Sequence, residues 1–384
     1  MRFLHTSDWH LGRIFHGIHL TDDQAFLLNQ FIDLIRDSKP QAVVIAGDIY
    51  DRAVPPTEAV ELLNETLSRI ILDCQTPVIL IAGNHDSPER IGFGNKLLAR
   101  EGLHVFGPLT GKPRTIVLED EYGPVHFVPL TYAEPSIVRE RLQEPEALDH
   151  EHALNIMINH ALSQIPPSAR KVAIAHAFLS GGSVSDSERP LSVGGSGMVS
   201  ADLFKPFNYT ALGHLHHSQK VGNDSIRYPG SLFKYSFSEA NQTKGINLVE
   251  LDAQGQARIE NIPLMPHRDV RILEGYFKEI LEHADSFGNR GDYLQIVLKD
   301  TDPILDPIGQ LRNVFPNVLA IERPNITNKG NLLGLKADHR KLTEKALFAS
   351  FFEQMTGQTI NPEQERELTD VLEETFRELR EVTV

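Results

Sequence analysis

At 384 residues, with 41% apolar and 23% charged side chains, the chain has the composition of a globular protein with room for two or three domains and a sizeable core. Its 37 Lys and Arg against 52 Asp and Glu leave a net charge of −15. Unaided, non-specific binding to nucleic acid is therefore disfavoured, because that affinity comes from counterions released to cationic side chains; a polyanion has to be met by a local patch, a bound metal or a partner chain. No apolar run approaches the roughly 18 residues that span a bilayer. The single Cys74 excludes an internal disulfide framework, and the strand-like RFLHTS after Met1 is unlike a secretory leader, so a reduced, cytosolic protein is expected.

In chain order, Phe3-Leu4 begins a first strand, and residues 21–36 read as a helix whose Leu28, Phe31, Ile32 and Ile35 share one face. Thr21 and Gln24 are placed as a capping box at its start. A strand over Ala42–Ala46, a helix over 57–73 behind Pro55-Pro56 and a strand over 77–82 follow, and each strand runs into a polar turn. This is βαβ logic, with working loops at strand C-termini. Further strands are expected at 104–106, 125–129, 172–176 and 209–212, which predicts a large sheet layered with helices. The Ser- and Gly-rich stretch 180–200 suits a functional surface loop.

Two prolines within 262–267 mark a boundary. Beyond it, 270–275, 277–284, 293–298 and 318–321 predict a small β-α-β domain. The last segment carries Phe348, Phe351, Phe352 and Met355 at helical spacing, ends at Gly357, and restarts at Asn361-Pro362 with Leu368, Leu372, Phe376 and Leu379. The expected division is 1–265, 266–330 and 331–384. The two apolar faces of the last part sit on a segment too short to build its own core, so a helix laid against another protein would explain them, as would packing on the chain's own second domain.

Five strand ends carry groups able to ligate a metal. In an extended segment residues two apart point the same way, so Asp8 and His10 can share an ion while Trp9 faces away. The second strand ends in Gly47-Asp48-Ile49-Tyr50-Asp51, with a carboxylate at its tip and another behind it. The third ends in Gly83-Asn84-His85-Asp86, offering an amide oxygen and an imidazole. His176 closes its strand, and Gly213-His214-Leu215-His216 adds two imidazoles. Any one of these is an ordinary turn; together they give oxygen and nitrogen ligands with no thiolate, enough for two metals if Asp48 bridges. Such a set suits manganese, iron or zinc better than magnesium. Two ions about 3.5–4 Å apart form the site used to hydrolyse phosphate esters. Arg13, Arg52 and Arg90 lie just beyond three of the site loops and are candidates for contacts to backbone phosphates.

The order D-x-H, GDxxD, GNHD, His, GHxH resembles that of the calcineurin-like metallophosphoesterases. The stretches HTSDWHLG from His5, AGNHDS from Ala82, SDSER from Ser185 and ALGHLH from Ala211, followed by YPGS from Tyr228, resemble the SbcD family of double-strand-break repair nucleases. The likeness covers residues 1–265 by motif and the remainder by layout. It implies an α/β fold, a β-sandwich flanked by helices, with a small α+β capping domain and C-terminal helices. It also implies one metal held by Asp8, His10, Asp48 and His216 and another by Asp48, Asn84, His176 and His214, most simply manganese. His85 would then contact the phosphoryl group, with Asp51 orienting it.

The same resemblance implies a nuclease subunit with ATP-dependent double-strand exonuclease and single-strand, hairpin-cleaving endonuclease activity in DNA repair and recombination. It would work with an SMC-like ATPase, SbcC, bound by the C-terminal helices, as a homodimer within a heterotetramer at the nucleoid. A stand-alone phosphodiesterase or phosphatase on a small substrate would share every ligand, and the net charge leans toward it; the capping domain and C-terminal helices lean away. A non-catalytic scaffold with structural metals is a third reading, which leaves His85 without a task.

Overall fold

The computed structural model describes residues 1–189, 191, 197–324, 345, 348, 349, 352, 356, 358–369 and 371. They fall into two compact units, 1–270 and 271–384.

The first unit is a sandwich of two six-stranded sheets. One runs in the order Ala257–Pro263, Gly245–Leu251, Arg2–Thr6, Ala42–Ala46, Val78–Ile81 and Leu103–Phe106. Its last four strands are parallel, in registers such as His5 opposite Val44 and Val44 opposite Ile79. The first two close one edge as an antiparallel hairpin. The other sheet has the parallel strands Ile226–Tyr228, Tyr209–Gly213, Arg170–His176 and Gly123–Leu130 at its centre, with antiparallel strands outside.

Strand Ala42–Ala46 is buried along its whole length because both of its faces are covered. Ala42, Val44 and Ala46 meet Phe127, Val172, Ile174 and Tyr209 of the second sheet in the inter-sheet core. Phe3 lies edge-on to Phe127 there, ring centroids 5.4 Å apart. Each such ring buried adds about 2 kcal/mol of transfer free energy. Outside the second sheet, helix His150–Leu162 lays Ala153, Met157, Ile158 and Ala161 on Ala173, Ala175 and Leu212. The sandwich thus holds the C-terminal ends of the parallel strands of both sheets as a stiff frame for loops.

Helix Thr21–Ser38 buries Leu27, Leu28, Phe31, Ile32 and Ile35. Its expected capping box does not form: the N-cap is Leu20, with no side-chain cap hydrogen bond. The Gln24 amide is used instead to brace the loop after the first strand, accepting from Gly12 N–H (3.2 Å) and donating to the carbonyls of Trp9 (3.0 Å) and His10 (2.9 Å). The predicted helix over 57–73 is an α-helix at Thr57–Ser68 that widens into a π turn at Arg69–Asp73.

The second unit has strands Val270–Gly275, Tyr293–Leu298 and Val318–Glu322 with helices Phe277–Glu282 and Pro307–Arg312. Leu273, Ile280, Leu294, Ile296, Leu311 and Phe315 form its core. Asp306 caps the helix Pro307–Arg312, its side chain accepting from Gly309 N–H. Among the described residues, no helix is long and apolar enough to cross a membrane.

Candidate metal centre

The loops that follow the parallel strands are zipped to one another before any side chain is considered. Asp8 N–H donates to Gly47 O (3.0 Å), His10 N–H to Asp48 O (3.0 Å) and Leu11 N–H to Ile49 O (2.9 Å). These bonds hold Asp8 and His10 in left-handed backbone, φ 53° and 45°, so the expected extended D-x-H is in fact a pair of left-handed turns. Both side chains reach one centre because of those turns, and Trp9, between them, is buried against Phe31 with its Nε1–H on Thr6 Oγ1 (2.9 Å). Asp48 and His214 also have positive φ, 50° and 106°. Such conformations cost of order 1–3 kcal/mol each and persist where surrounding bonds over-determine them.

Two glycines let the loops close this tightly. A Cβ on Gly47, itself at φ 89°, would lie 2.5 Å from His176 Nδ1, and one on Gly83 would lie 2.2 Å from Asp48 Oδ1.

The side chains form two groups that share Asp48. In the first, His10 Nε2 faces His216 Nε2 at 3.1 Å, and a ligand atom of Asp8 lies within 4.8 Å of those of both imidazoles. In the second, Asn84 Oδ1 is 2.8 Å from His176 Nε2 and 3.2 Å from His214 Nδ1. Asp48 Oδ2 stands between, 3.4 Å from His176 Nε2 and 3.7 Å from His10 Nε2. Asp8, His10, Asp48, His176, His214 and His216 are buried and Asn84 is half-buried.

Most of the imidazoles have their outward nitrogen engaged, which fixes the tautomer and aims the other nitrogen inward. His176 Nδ1–H donates to Ala46 O (2.9 Å) and His85 Nδ1–H to Asp51 O (2.8 Å). His216 Nδ1–H donates to Ser187 Oγ (2.5 Å), which donates in turn to Glu239 Oε1 (2.5 Å). Lys244 Nζ completes that chain, 2.5 Å from Glu239 Oε2 and 2.7 Å from His216 O.

The centre is not electrostatically at rest. Burial pushes the Asp8 carboxyl up to about 6. It pulls His10 and His214 well below the usual imidazole range. At Asp48 burial acts upward too, but the imidazoles of His176, His10 and His85 outweigh it and hold the carboxyl well below its usual range. His176 moves the opposite way: burial draws it down, yet Asp48 and Asp8 carry it up to about 9.

These residues fit divalent metal. Two imidazole nitrogens facing each other at 3.1 Å and a buried carboxyl disfavoured as an anion are features that cations between the ligands relieve.

The other expected residues fare differently. His85 is buried beside the ligands, with Nε2 3.9 Å from Asp48 Oδ2. Asp51 does meet His85, but through its main-chain carbonyl rather than its carboxylate, which pairs with Arg13 (Nη1–Oδ1 2.8 Å). Arg13 is thereby partly occupied; Arg52 stands 4.0 Å from the same carboxylate, and Arg90 is exposed on the short helix Pro88–Ile91. Of the expected partner-binding face, Phe348 is exposed and Phe352 and Leu368 are half-buried; Phe351, Met355, Leu372, Phe376 and Leu379 lie outside the described residues.

Asp86 is a site residue that the sequence reading does not single out. Its carboxylate accepts from Ile49 (3.1 Å), Tyr50 (2.9 Å) and Gly83 (2.9 Å) N–H, binding the second loop to the third. Its position in GNHD is the available signal. Ser187 lies in the SDSER stretch, a signal for the loop but not for its bond to His216; Glu239 and Lys244 carry none, since their link to His216 spans distant stretches of chain.

Comparison with known proteins agrees with this geometry. Residues 1–218 match the family model of calcineurin-like phosphoesterases, and residues 266–356 match that of the type 5 capsule protein repressor C-terminal domain. The chain is 32% identical over 372 residues to the SbcD component of nuclease SbcCD from Staphylococcus epidermidis, covering 97% of this chain and 98% of that one. Two solved structures are more distant: TT1561 of Thermus thermophilus (16% identity, 68% of this chain and 98% of that one, TM-score 0.39) and a dimetal phosphatase from Danio rerio (11%, 69% and 98%, TM-score 0.40).

Proposed function

The chain belongs to the calcineurin-like phosphoesterases, in the SbcD family of nucleases, and is a metal-dependent nuclease; on that premise we propose that it hydrolyses DNA phosphodiester bonds with two manganese ions, as the nuclease subunit of a complex with an SbcC-type ATPase. Asp8, His10, Asp48 and His216 would hold one ion, and Asp48, Asn84, His176 and His214 the other. The observation that carries this reading is the shared position of Asp48 Oδ2 between the two ligand groups, with the inward Nε2 of His85 beside it.

When bound, the metals supply charge stabilisation for the phosphate oxygens and a water acidic enough to attack near neutral pH. The chain's own residues do the rest. His176 and His85 keep a proton on Nδ1, so Nε2 is the nitrogen each offers inward. Asp51 O fixes the ring of His85 for proton exchange at Nε2 with an oxygen of the phosphoryl group. Ser187, Glu239 and Lys244 hold His216 from behind.

In this reading the labour divides into a nuclease domain at 1–265, a capping domain at 266–330 and partner-binding helices at 331–384. The activities would be ATP-dependent exonuclease on duplex ends and endonuclease on hairpins and single strands, in DNA repair and recombination in the cytoplasm at the nucleoid. With a net charge of −15, grip on DNA would come from the metals and the ATPase partner. A homodimer within a heterotetramer is also proposed. It is supported by large apolar side chains left open on the nuclease unit, Leu72 at 66%, Phe93 at 85% and Leu97 at 71% exposure.

The test is manganese-dependent cleavage of an end-labelled linear duplex, with and without the ATPase and ATP, beside a bis-phenyl phosphodiester and the His85→Ala variant. Shortening of the duplex, acceleration by partner and ATP, and loss in the variant are expected. Hydrolysis of the small ester alone, indifferent to the partner, would instead mean a stand-alone phosphodiesterase. Deleting 340–384 should abolish ATPase binding in a pull-down, and light scattering should show a dimer.

A further inference from the structure

The rim of the centre carries a cation that nothing above employs. Arg189 follows two residues tied to the metal ligand His216: Ser187 Oγ accepts from its Nδ1–H (2.5 Å) and Glu188 Oε1 from its backbone N–H (2.8 Å). Glu188 Oε2 also takes the N–H of Ser185 (2.5 Å), so the backbone leading to Arg189 is fastened on both sides of the turn. The Arg189 side chain, in contrast, is exposed. It lies close enough to His85 that its charge adds to burial, the larger cause, in lowering that imidazole's pKa.

The other arginines nearby are engaged or more remote: Arg13 is 2.8 Å from Asp51 Oδ1, and Arg52 is 4.0 Å from Oδ2. Arg189 has no hydrogen bond or ion pair among the described residues. A guanidinium with no partner among the described residues, on a loop whose Ser187 and Glu188 bond the metal ligand His216, matches what a phosphate demands: a planar fork with two parallel N–H donors and a charge that does not titrate. We infer that Arg189 binds the non-bridging oxygens of the phosphoryl group under attack. It is a substrate-binding residue of the centre, and the anchoring of its loop to His216 couples the metal site to the phosphate site. This rests on the phosphoesterase reading of the centre.

The test compares wild type, Arg189→Ala and Arg189→Lys as full-length chains loaded with manganese. Calorimetry measures manganese stoichiometry and then the affinity for inorganic phosphate, and steady-state assays measure kcat and KM on a bis-phenyl phosphodiester. Arg189→Ala should keep two manganese ions, bind phosphate about 10-fold or more weakly, and lose about 10- to 100-fold in kcat/KM, with Arg189→Lys recovering part of both. Phosphate affinity and kcat/KM within twofold of wild type would overturn the inference alone. Loss of manganese in Arg189→Ala would also overturn it, by showing that the side chain supports the loop rather than the substrate. A wild type that neither binds phosphate nor cleaves the ester would remove the phosphoesterase reading with it.

Discussion

The nuclease unit buries two clusters of charge, and they are built on opposite principles. At one, Asp120 accepts a forked pair of bonds from Arg170 (2.9 and 2.5 Å) and meets the Met1 amino group, which also donates to Leu251 O (2.9 Å). Every charge there faces its opposite, and Asp120 is held below the usual carboxylate range, first by the Arg170 hydrogen bond. At the metal centre imidazole faces imidazole and the Asp8 carboxyl is pushed up to about 6 by burial. The first cluster is complete in the chain alone and ties one sheet to the other. The second is complete only with cations, and its misfit is held in place by the left-handed turns at Asp8, His10 and Asp48.

The sharpest break is at the shared ligand. Asp48→Asn keeps the shape of the side chain, and Asn tolerates the φ of 50° at this position. Manganese stoichiometry should fall, and hydrolysis of a phosphodiester should drop on the order of 10³-fold. The equivalent change at the other cluster should leave kcat nearly untouched. If Asp48→Asn binds two ions and cleaves normally, the centre is not where the two groups are joined.

Stability should respond with opposite signs. Asp120→Asn strands the Arg170 guanidinium and the Met1 amine and should cost about 3 kcal/mol, read by denaturant unfolding. Asp8→Asn in the metal-free chain should gain about 1–2 kcal/mol at pH 7. The sign follows from the direction of the shift: a carboxyl raised in the folded state contributes stability while protonated and loses it as pH rises through about 6. The gain should therefore fade toward about pH 4, where the unfolded carboxyl takes up its proton as well. Equal losses in both variants would erase the distinction between a satisfied and a frustrated cluster.

The same shifts predict how metal binding depends on pH. A proton on His176, raised to about 9, and one on Asp8, raised to about 6, have to leave before cations enter. Affinity for manganese should rise about tenfold per pH unit between these values, more steeply below about 6, and level off above about 9. Calorimetry in buffers of different ionisation enthalpy would count the protons released; a pH-independent affinity would rule this out.

Much of the centre is legible because each ligand ends an apolar run: Asp8 and His10 after RFLHTS, Asp48 after AVVIAG, Asn84 after VILIAG, His176 after VAIA, His214 and His216 after YTALG. An apolar run that stops at a polar turn is a local signal, and a parallel sheet gathers such ends at one edge. What is not legible depends on partners far away in the chain. The left-handed turn at Asp8 is imposed by Gly47 O, Gln24 is drawn from its cap to the Trp9 and His10 carbonyls, and Asp120 finds Arg170 and Met1. The strand Gly245–Leu251 does carry a signal, since its last residues Val249-Glu250-Leu251 alternate apolar and polar, yet the hairpin it makes with Ala257–Pro263 is absent from the elements expected of the sequence.

The smallest effect tests how far the centre depends on the residues behind it. Ser187 supplies the hydroxyl that links His216 Nδ1 to the buried Glu239, whose carboxyl is brought down to about 2 because Lys244 and His216 outweigh the upward push of burial. Ser187→Ala removes that link without removing a ligand or a charge. The His216 ring would lose the acceptor that fixes its tautomer, while its backbone N–H keeps Glu188 and its carbonyl keeps Lys244. Manganese affinity should fall about tenfold, in the range seen when a ligand's outer hydrogen bond is removed, with stoichiometry unchanged. An unaltered affinity would show that the ring is held by packing against His10 and Tyr235, whose centroids lie 4.9 and 5.9 Å away, rather than by the Ser187–Glu239 relay.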